Sequence, residues 1–292
     1  MSNAYPRRFV LLCLLPGLLT LFALMIVPTL DAINLAFHDR SLQYADAPFI
    51  GLDNFRDMLG DRRLLNALKI SALWELITVA GTLLTAMLVA IVLFENLSPA
   101  KRNLVAMAFV VPVLLPRVSA GLVWRFLYSP LLGVVNFAIT SLGAKPVEFL
   151  TDPRIALFAV ALVDIWQWGL FFSVIVLKLI ETLPTSPFEA ARLDHAKTWQ
   201  VHWFLTLPLL RLPLVTLAFV KAVESLRSFD LIYTMTGGGP GIATETLDLY
   251  AYQQGIGVGG RVSYAAAMSV LLMLITTVLF SVLWKRMQRW AH

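Results

Sequence analysis

Apolar residues along this chain gather into long unbroken runs, not into the short alternating or amphipathic stretches of a water-soluble fold. Residues 9–30 form 22 consecutive positions without a charge, and comparable runs cover 70–94, 103–127, 155–177, 212–233 and 262–284. About 20 apolar residues in a helix cross the hydrocarbon layer of a bilayer. The pattern therefore predicts an all-α, polytopic membrane protein with six transmembrane helices. Arg7 and Arg8 before the first run give it the look of a secretory signal. The run exceeds the roughly 7–15 apolar residues of such signals, and a retained first helix is expected.

Composition agrees: 59% of the 292 residues are hydrophobic and 14% charged, against roughly 45–50% and 25% in soluble domains. The single cysteine, Cys13, lies inside the first run, so the chain has no intrachain disulfide framework and no cysteine-based metal site. The net charge of +5 comes from short basic clusters beside the apolar runs. With Arg7 and Arg8 inside, the inner segments carry eleven Lys and Arg residues and the longer outer loops seven, which predicts both termini in the cytoplasm. Neither an internal repeat nor a low-complexity linker divides the chain, so residues 1–292 read as one membrane domain. In the first outer loop, Phe49, Leu52, Phe55, Met58 and Leu59 recur at helical intervals among Asp53, Arg56, Asp57 and Asp61. That spacing predicts a short surface helix, either a lid over helix ends or a partner contact.

The loop between the fourth and fifth runs, about 182–208, is the most informative stretch. Ser186 stands as an N-cap, Pro187 as the first helical residue and Glu189 as the third, able to close a capping box back onto Ser186. Thr198 is placed to cap a second helix through Thr206, which Leu207-Pro208 would end. The expectation is a helix-turn-helix across the cytoplasmic face. On these grounds it is either an interfacial hairpin joining two spans or a contact element.

Glu189-Ala190-Ala191, then Asp194, Ala196, Phe204, Leu207 and Pro208, resemble the EAA loop of permease subunits of binding-protein-dependent ABC importers. The resemblance is closest to the sugar and glycerol-phosphate permeases of the maltose-transporter class, and it extends along the chain. Gly51-Leu52-Asp53-Asn54-Phe55 is similar to their first outer-loop motif. Trp124 with Pro130, Gly133 and Asn136 is similar to the segment leaving their third span. Phe229-Asp230 with Thr236-Gly237-Gly238-Gly239-Pro240 and Thr244 is similar to the block beyond their fifth.

The resemblance implies a multi-pass permease of the bacterial cytoplasmic (inner) membrane that moves a sugar, polyol or glycerol-phosphate ester. An extracytoplasmic binding protein would deliver the solute, and a second homologous permease would complete a heterodimer. Two cytoplasmic ATPase subunits would bind ATP and Mg, and residues 189–208 would couple to them. Where the family has glycine after the aspartate, this chain has His195, at a turn where a positive φ favours glycine.

Charges inside a membrane are candidate functional groups because each costs at least ~2.5 kcal/mol at the bilayer centre. Lys69, Arg125 and Lys178 lie near span ends and are expected to snorkel. Arg117 follows Pro112 and Pro116, which would interrupt the third helix, and is a pathway candidate. Glu75 and Asp164 are expected either to pair or to face the pathway. Lys221, Glu224, Arg227 and Asp230 repeat every third residue with alternating sign, predicting i,i+3 pairs along one side of the fifth helix. That stripe would line a helix seam or, with Ser225 and Ser228, a hydrated conduit. Trp166, Gln167 and Trp168 combine flat apolar faces with hydrogen-bonding groups, suited either to sugar rings or to a membrane interface.

No phosphate-binding G-x-x-x-x-G-K-[ST] segment occurs, so ATP hydrolysis is expected on another subunit, with no cofactor or metal held here. H-E-x-x-H and G-x-S-x-G are also absent, and His38, His195, His202 and His292 fall in loops or termini. No catalytic residue is therefore assigned and the chain is expected not to be an enzyme. The competing class, an ion-coupled secondary transporter, could use buried carboxylates, but it typically carries inverted repeats and midplane helix breaks.

Overall fold

The computed structural model describes residues 7–44, 46–257 and 259–291, apart from the side chains of 7, 8, 10, 283, 284 and 286–291. Arg7, Arg8, Arg286 and Arg289, on which part of the orientation argument rests, thus have side chains outside the described residues. The chain is helical, and the one β-bridge among the described residues joins His38 to Phe49. In chain order the helices are α1 (7–35), α2 (Asp53–Gly60), α3 (Arg62–Asn96), α4 (Pro99–Leu114), α5 (Arg117–Leu127), α6 (Val134–Ser141) and α7 (Ala156–Glu181). They continue with α8 (Ser186–Leu193), α9 (Thr198–Leu209), α10 (Arg211–Ser225), α11 (Phe229–Met235), α12 (Leu247–Tyr252) and α13 (Val262–Ala291).

Within the described residues, four helices are long and apolar enough to cross a membrane. The number rises to six if α4 with α5, bent by 97°, and α9 with α10, bent by 71°, each count as one span. Pro112 and Pro116 break the third run as their missing N–H groups require: α4 ends at Leu114 and α5 begins at Arg117. The break in the fifth run, between α10 and α11 at 226–228, has no proline or glycine to announce it. Donors from other helices hold it open. Trp74 Nε1 donates to the Ser225 carbonyl at 3.1 Å and Arg117 to the Arg227 carbonyl at 3.1 Å, so backbone groups that leave the helix ladder still have partners.

Two compact units divide the chain: residues up to Arg62 with Tyr250–Thr276, and Arg63–Leu249 with residues from Thr277 on. In the first, α1 exposes apolar side chains along its length, as suits lipid or a neighbouring helix. Asn54 of α2 is buried, and its amide donates to the carbonyls of Ala36 and His38 at 2.8 and 2.9 Å. Asp61 accepts the hydroxyls of Tyr250 and Tyr264, each at 2.6 Å. The expected surface helix is therefore real, and Met58 is its buried apolar anchor while Leu59 stays exposed.

In the second unit α3 and α7 approach closely because two glycines face the other helix. A Cβ on Gly81 would lie 2.4 Å from Ile165 Cδ1, and one on Gly169 would lie 3.0 Å from Thr85 Cγ2. Small residues let helices associate where lipid removes the hydrophobic drive. Beyond this contact, Ala86, Ala90 and Leu93 of α3 pack with Phe172, Val176 and Ile180 of α7 and with Leu210 and Leu217.

Candidate coupling loop and intramembrane polar site

Residues 182–210 leave α7 and return into α10 through two short helices. The first does not begin as its sequence suggests. Thr185 rather than Ser186 precedes α8, already in right-handed helical conformation, and no side chain caps the start. The Thr185 carbonyl accepts from the N–H groups of both Phe188 and Glu189, each at 3.0 Å. Glu189 consequently closes no capping box, because a residue with helical ψ cannot aim its hydroxyl at the first-turn amides.

The end of α8 is a full Schellman turn: Ala196 N–H donates to the Ala191 carbonyl at 3.0 Å and His195 N–H to the Arg192 carbonyl at 3.1 Å. His195, with φ +54°, is the one non-glycine residue with positive φ among the described residues. The left-handed position at the substituted glycine is thus kept. Asp194 supplies the residue before it, with Ala190 accepting its N–H at 3.0 Å.

The second helix, α9, is preceded by Lys197, whose N–H donates to Gln200 Oε1 at 2.8 Å. The glutamine reaches back, so Thr198 is the first helical residue rather than the cap. Pro208 does not end this helix. Residues His202–Thr206 form a π-turn in which Leu207 N–H reaches the His202 carbonyl, and the chain stays helical to Leu209 before bending at Leu210. The wider turn shifts the donor register ahead of the proline, which removes the clash expected in a regular helix.

That π-turn buries His202. Its Nδ1 lies 3.0 Å from Thr206 Oγ1 and its Nε2 lies 3.0 Å from Glu95 Oε1 at the end of α3. From the sequence alone His202 reads as a loop histidine. The signals were its i,i+4 spacing to Thr206 and an acid at the end of the second apolar run.

A cavity of about 480 Å³ separates the two helices from the ends of α3, α4 and α7, and Glu95, Arg102, Lys178, Glu189, Arg192 and His202 are among its lining. Arg102 is fully occupied there. It donates to the carbonyls of Leu97 (2.9 Å) and Phe94 and to Glu181 (3.3 Å). Lys178 bonds Asn103 and Glu181 at 2.8 and 2.9 Å, so it is anchored by protein groups. On the loop surface Leu193, Trp199, Trp203 and Phe204 stand exposed, Leu193 by 82%. Ala190 is exposed and Ala191 and Leu207 half-buried, with Pro208 exposed.

Deep in the same unit, the charged stripe of the fifth run does not pair with itself. Lys221 and Asp164 are fully buried and 2.5 Å apart. Arg117 bonds Asp164 at 3.1 Å and lies 3.4 Å from Glu224. The i,i+3 ladder is replaced by ion pairs between α10 and the helices α5 and α7: Lys221 and Asp164 satisfy each other inside the helix seam, while Arg117 and Glu224 keep 12% and 29% exposure. The break at 226–228 then carries Arg227 and Asp230 away, and both are exposed while Ser228 is buried. Glu75 stands apart, with neither carboxylate oxygen accepting a bond from the described residues.

Gln167 is also drawn into structure. Its amide donates to the carbonyls of Pro112 at 2.9 Å and Leu115 at 2.8 Å. Pro116 has no N–H to offer Pro112, whose carbonyl takes Leu115 N–H at 3.2 Å, and Gln167 adds a second donor at the α4–α5 break. Trp166 stays half-exposed, edge-on to Trp124 at 5.3 Å.

The segments that carry the outer-loop resemblance are knots of the same kind. Asn136 donates to the carbonyls of Tyr128, Ser129 and Val147 and accepts from Val147 N–H at 2.7 Å. A Cβ on Gly133 would lie 2.3 Å from the Leu127 carbonyl oxygen. Thr244 bonds Thr236 at 2.7 Å and the Gly239 carbonyl at 2.8 Å. Glu245, beside it, takes a two-pronged contact from Arg63 at 2.7 and 2.6 Å. Asp248 accepts from Thr246 and from Leu249 N–H, and burial pushes its carboxyl above the usual range.

Known proteins resemble the chain over most of its length. A family model described as "Binding-protein-dependent transport system inner membrane component" matches residues 82–289. The trehalose/maltose transport system permease protein MalF of Thermococcus litoralis is 27% identical over 92% of this chain and 91% of its own length. The sulfoquinovosyl glycerol transport system permease protein SmoG of Agrobacterium fabrum is 30% identical over 93% of this chain and 89% of its own. Among solved structures, a chain of a bacterial ABC transporter involved in the import of the acidic polysaccharide alginate superposes with a TM-score of 0.81. It covers 97% of this chain and 96% of that one at 24% identity, a likeness of fold.

Proposed function

Because the chain belongs to the family of inner membrane components of binding-protein-dependent transport systems, we propose that it is the permease subunit of an ABC importer for a sugar, polyol or glycerol-phosphate ester. The observation that carries this reading is the match of the family model through 82–289, which includes the whole 182–210 loop. The subunit has both termini in the cytoplasm and pairs with a second, homologous permease. Two ATPase subunits bind ATP and Mg on the cytoplasmic side, and a binding protein brings the solute from outside.

In this reading α8 and α9 form the cytoplasmic coupling element. Its exposed Leu193, Trp199 and Phe204 give an apolar surface for the ATPase cleft, while small Ala190 and Ala191 allow close approach. The Schellman turn makes the element rigid, and a rigid element passes on displacement that a flexible loop would absorb. Arg117, Glu224, Arg227, Asp230 and Trp166 are the groups proposed to face solute. Arg227 and Asp230 are favoured by their exposure in a membrane segment, where charge needs water or a partner.

Replacing Ala191 by Phe or Glu189 by Lys tests the assignment. Both variants are expected to insert in the membrane normally while ATPase copurification and solute uptake fall by at least about tenfold. Normal uptake with the ATPase still bound would return the loop to a plain interfacial hairpin.

A further inference from the structure

α3 and α7 are long helices of the second unit that run without a break or a proline, and α3 is the longer: 35 residues from Arg62 to Asn96 against 26, about 52 Å at 1.5 Å per residue. Its neighbours α4–α5 and α10–α11 are interrupted midway and cannot transmit an axial push. Three fastenings lie along it. At one end Glu95 meets His202, the buried residue of the π-turn, at 3.0 Å. Near the middle Trp74 and Thr78 bond the carbonyl and hydroxyl of Ser225, at 3.1 and 3.0 Å, where α10 stops. At the other end Arg63 grips Glu245, Asn66 donates to the Ile242 carbonyl at 3.1 Å, and Ser71 accepts from Leu247 N–H at 2.8 Å.

Glu245 is almost wholly enclosed, so its bond to Arg63 leaves it no alternative partner without a desolvation cost. Between these fastenings α3 lies close against α7, with the Ile165 side chain over Gly81 and the Thr85 side chain beside Gly169.

We infer that α3 is a strut that carries displacement of the α8–α9 element to the outer segment 242–247, with the His202–Glu95 contact as its inner latch. The inference rests on the proposed role of α8–α9 as the ATPase contact. His202 is then a positioning residue: it touches no solute or nucleotide and acts by tying α9 to α3. Without the latch, α9 would move with α10 alone, whose rigid part ends at Ser225.

The test uses the complete transporter in nanodiscs, with this permease, its partner permease, the ATPases and the binding protein. Cys13→Ser permits nitroxide labels at Ile242→Cys and Leu142→Cys, and electron–electron distances are measured with and without ATP plus vanadate. The wild type is expected to change its 142–242 distance on trapping. His202→Phe, which keeps the volume and removes the bond, and Glu95→Ala are each expected to lose that change and to slow solute uptake by about fivefold or more. ATPase copurification should be retained. Glu95→Gln keeps an acceptor for His202 and is expected to behave as wild type. The His202→Phe/Glu95→Ala double variant should be no worse than either single one, since both remove the same contact.

A wild-type distance change persisting in His202→Phe and Glu95→Ala, an unchanged wild-type distance during ATP-driven uptake, or additive losses in the double variant would overturn the strut. The permease assignment would survive each of these results. Absence of ATP-driven uptake with no ATPase bound to the wild type would reject the permease assignment, and the strut with it.

Discussion

His195 pays for its conformation in a way that glycine would not: its Cβ meets the following carbonyl at φ +54°, a strain of about 1–2 kcal/mol in the left-handed region. His195→Gly is expected to raise stability by about 1 kcal/mol, read as a higher unfolding midpoint in detergent, with uptake unchanged. The position was legible because the family pattern has glycine at that point. Asp248 is the opposite case, a single acid whose environment depends on residues around it in space. Its Oδ2 is enclosed with no hydrogen-bond partner among the described residues, and burial raises its pKa. The unfolded carboxyl ionises near 3.8 while the folded one still holds its proton. Stability therefore falls as pH climbs above that value and levels off past the folded pKa. Thermal unfolding followed between about pH 4 and neutrality should show this decline, and Asp248→Asn should flatten it. A decline of equal slope in the variant would assign the effect to another group.

At the scale of elements, the apolar runs give away the helices and the prolines give away the α4–α5 break, since both signals are local. The break after Ser225 was invisible because its donors, Trp74 and Arg117, lie over a hundred residues away in sequence. Separations of 55 and 52 residues hid the role of Gln167, which reads as a solute group in isolation and adds donors at a backbone break in the fold. Gln167→Leu removes both donors and leaves the Pro112 and Leu115 carbonyls with fewer partners. The expected cost is about 2 kcal/mol in SDS or thermal unfolding, without loss of ATPase association. An unchanged stability would mean that other donors reach those carbonyls. The charged stripe misled for a related reason: i,i+3 spacing is necessary for a ladder, but α7 offers Asp164 to Lys221 at shorter range.

For the molecule as a whole, what the sequence made legible is the number of apolar runs and the family. How force and charge are routed among the helices was not legible, since that depends on contacts between distant segments. One such route has a consequence in salt. The hydrocarbon layer is about 30 Å thick, and α3 at about 52 Å is too long to be contained in it. Arg63 and Glu95 stand close to its two ends, and their side chains are 42% and 41% exposed. Each contact thus meets a different aqueous compartment, with its own ions. Screening shortens to about 3 Å at 1 M salt from about 10 Å at 0.1 M. In proteoliposomes, raising salt on the face of the Arg63–Glu245 ion pair should loosen that contact and lower the solute moved per ATP, while the same change on the Glu95 face should leave its hydrogen bond to His202 in place. Equal yields at low and high salt on the Arg63 face would show that this ion pair is closed to its bath. Otherwise the ionic composition of one compartment sets the tightness of one end of the helix, and the stoichiometry of transport becomes a property of the solution on that side as well as of the protein.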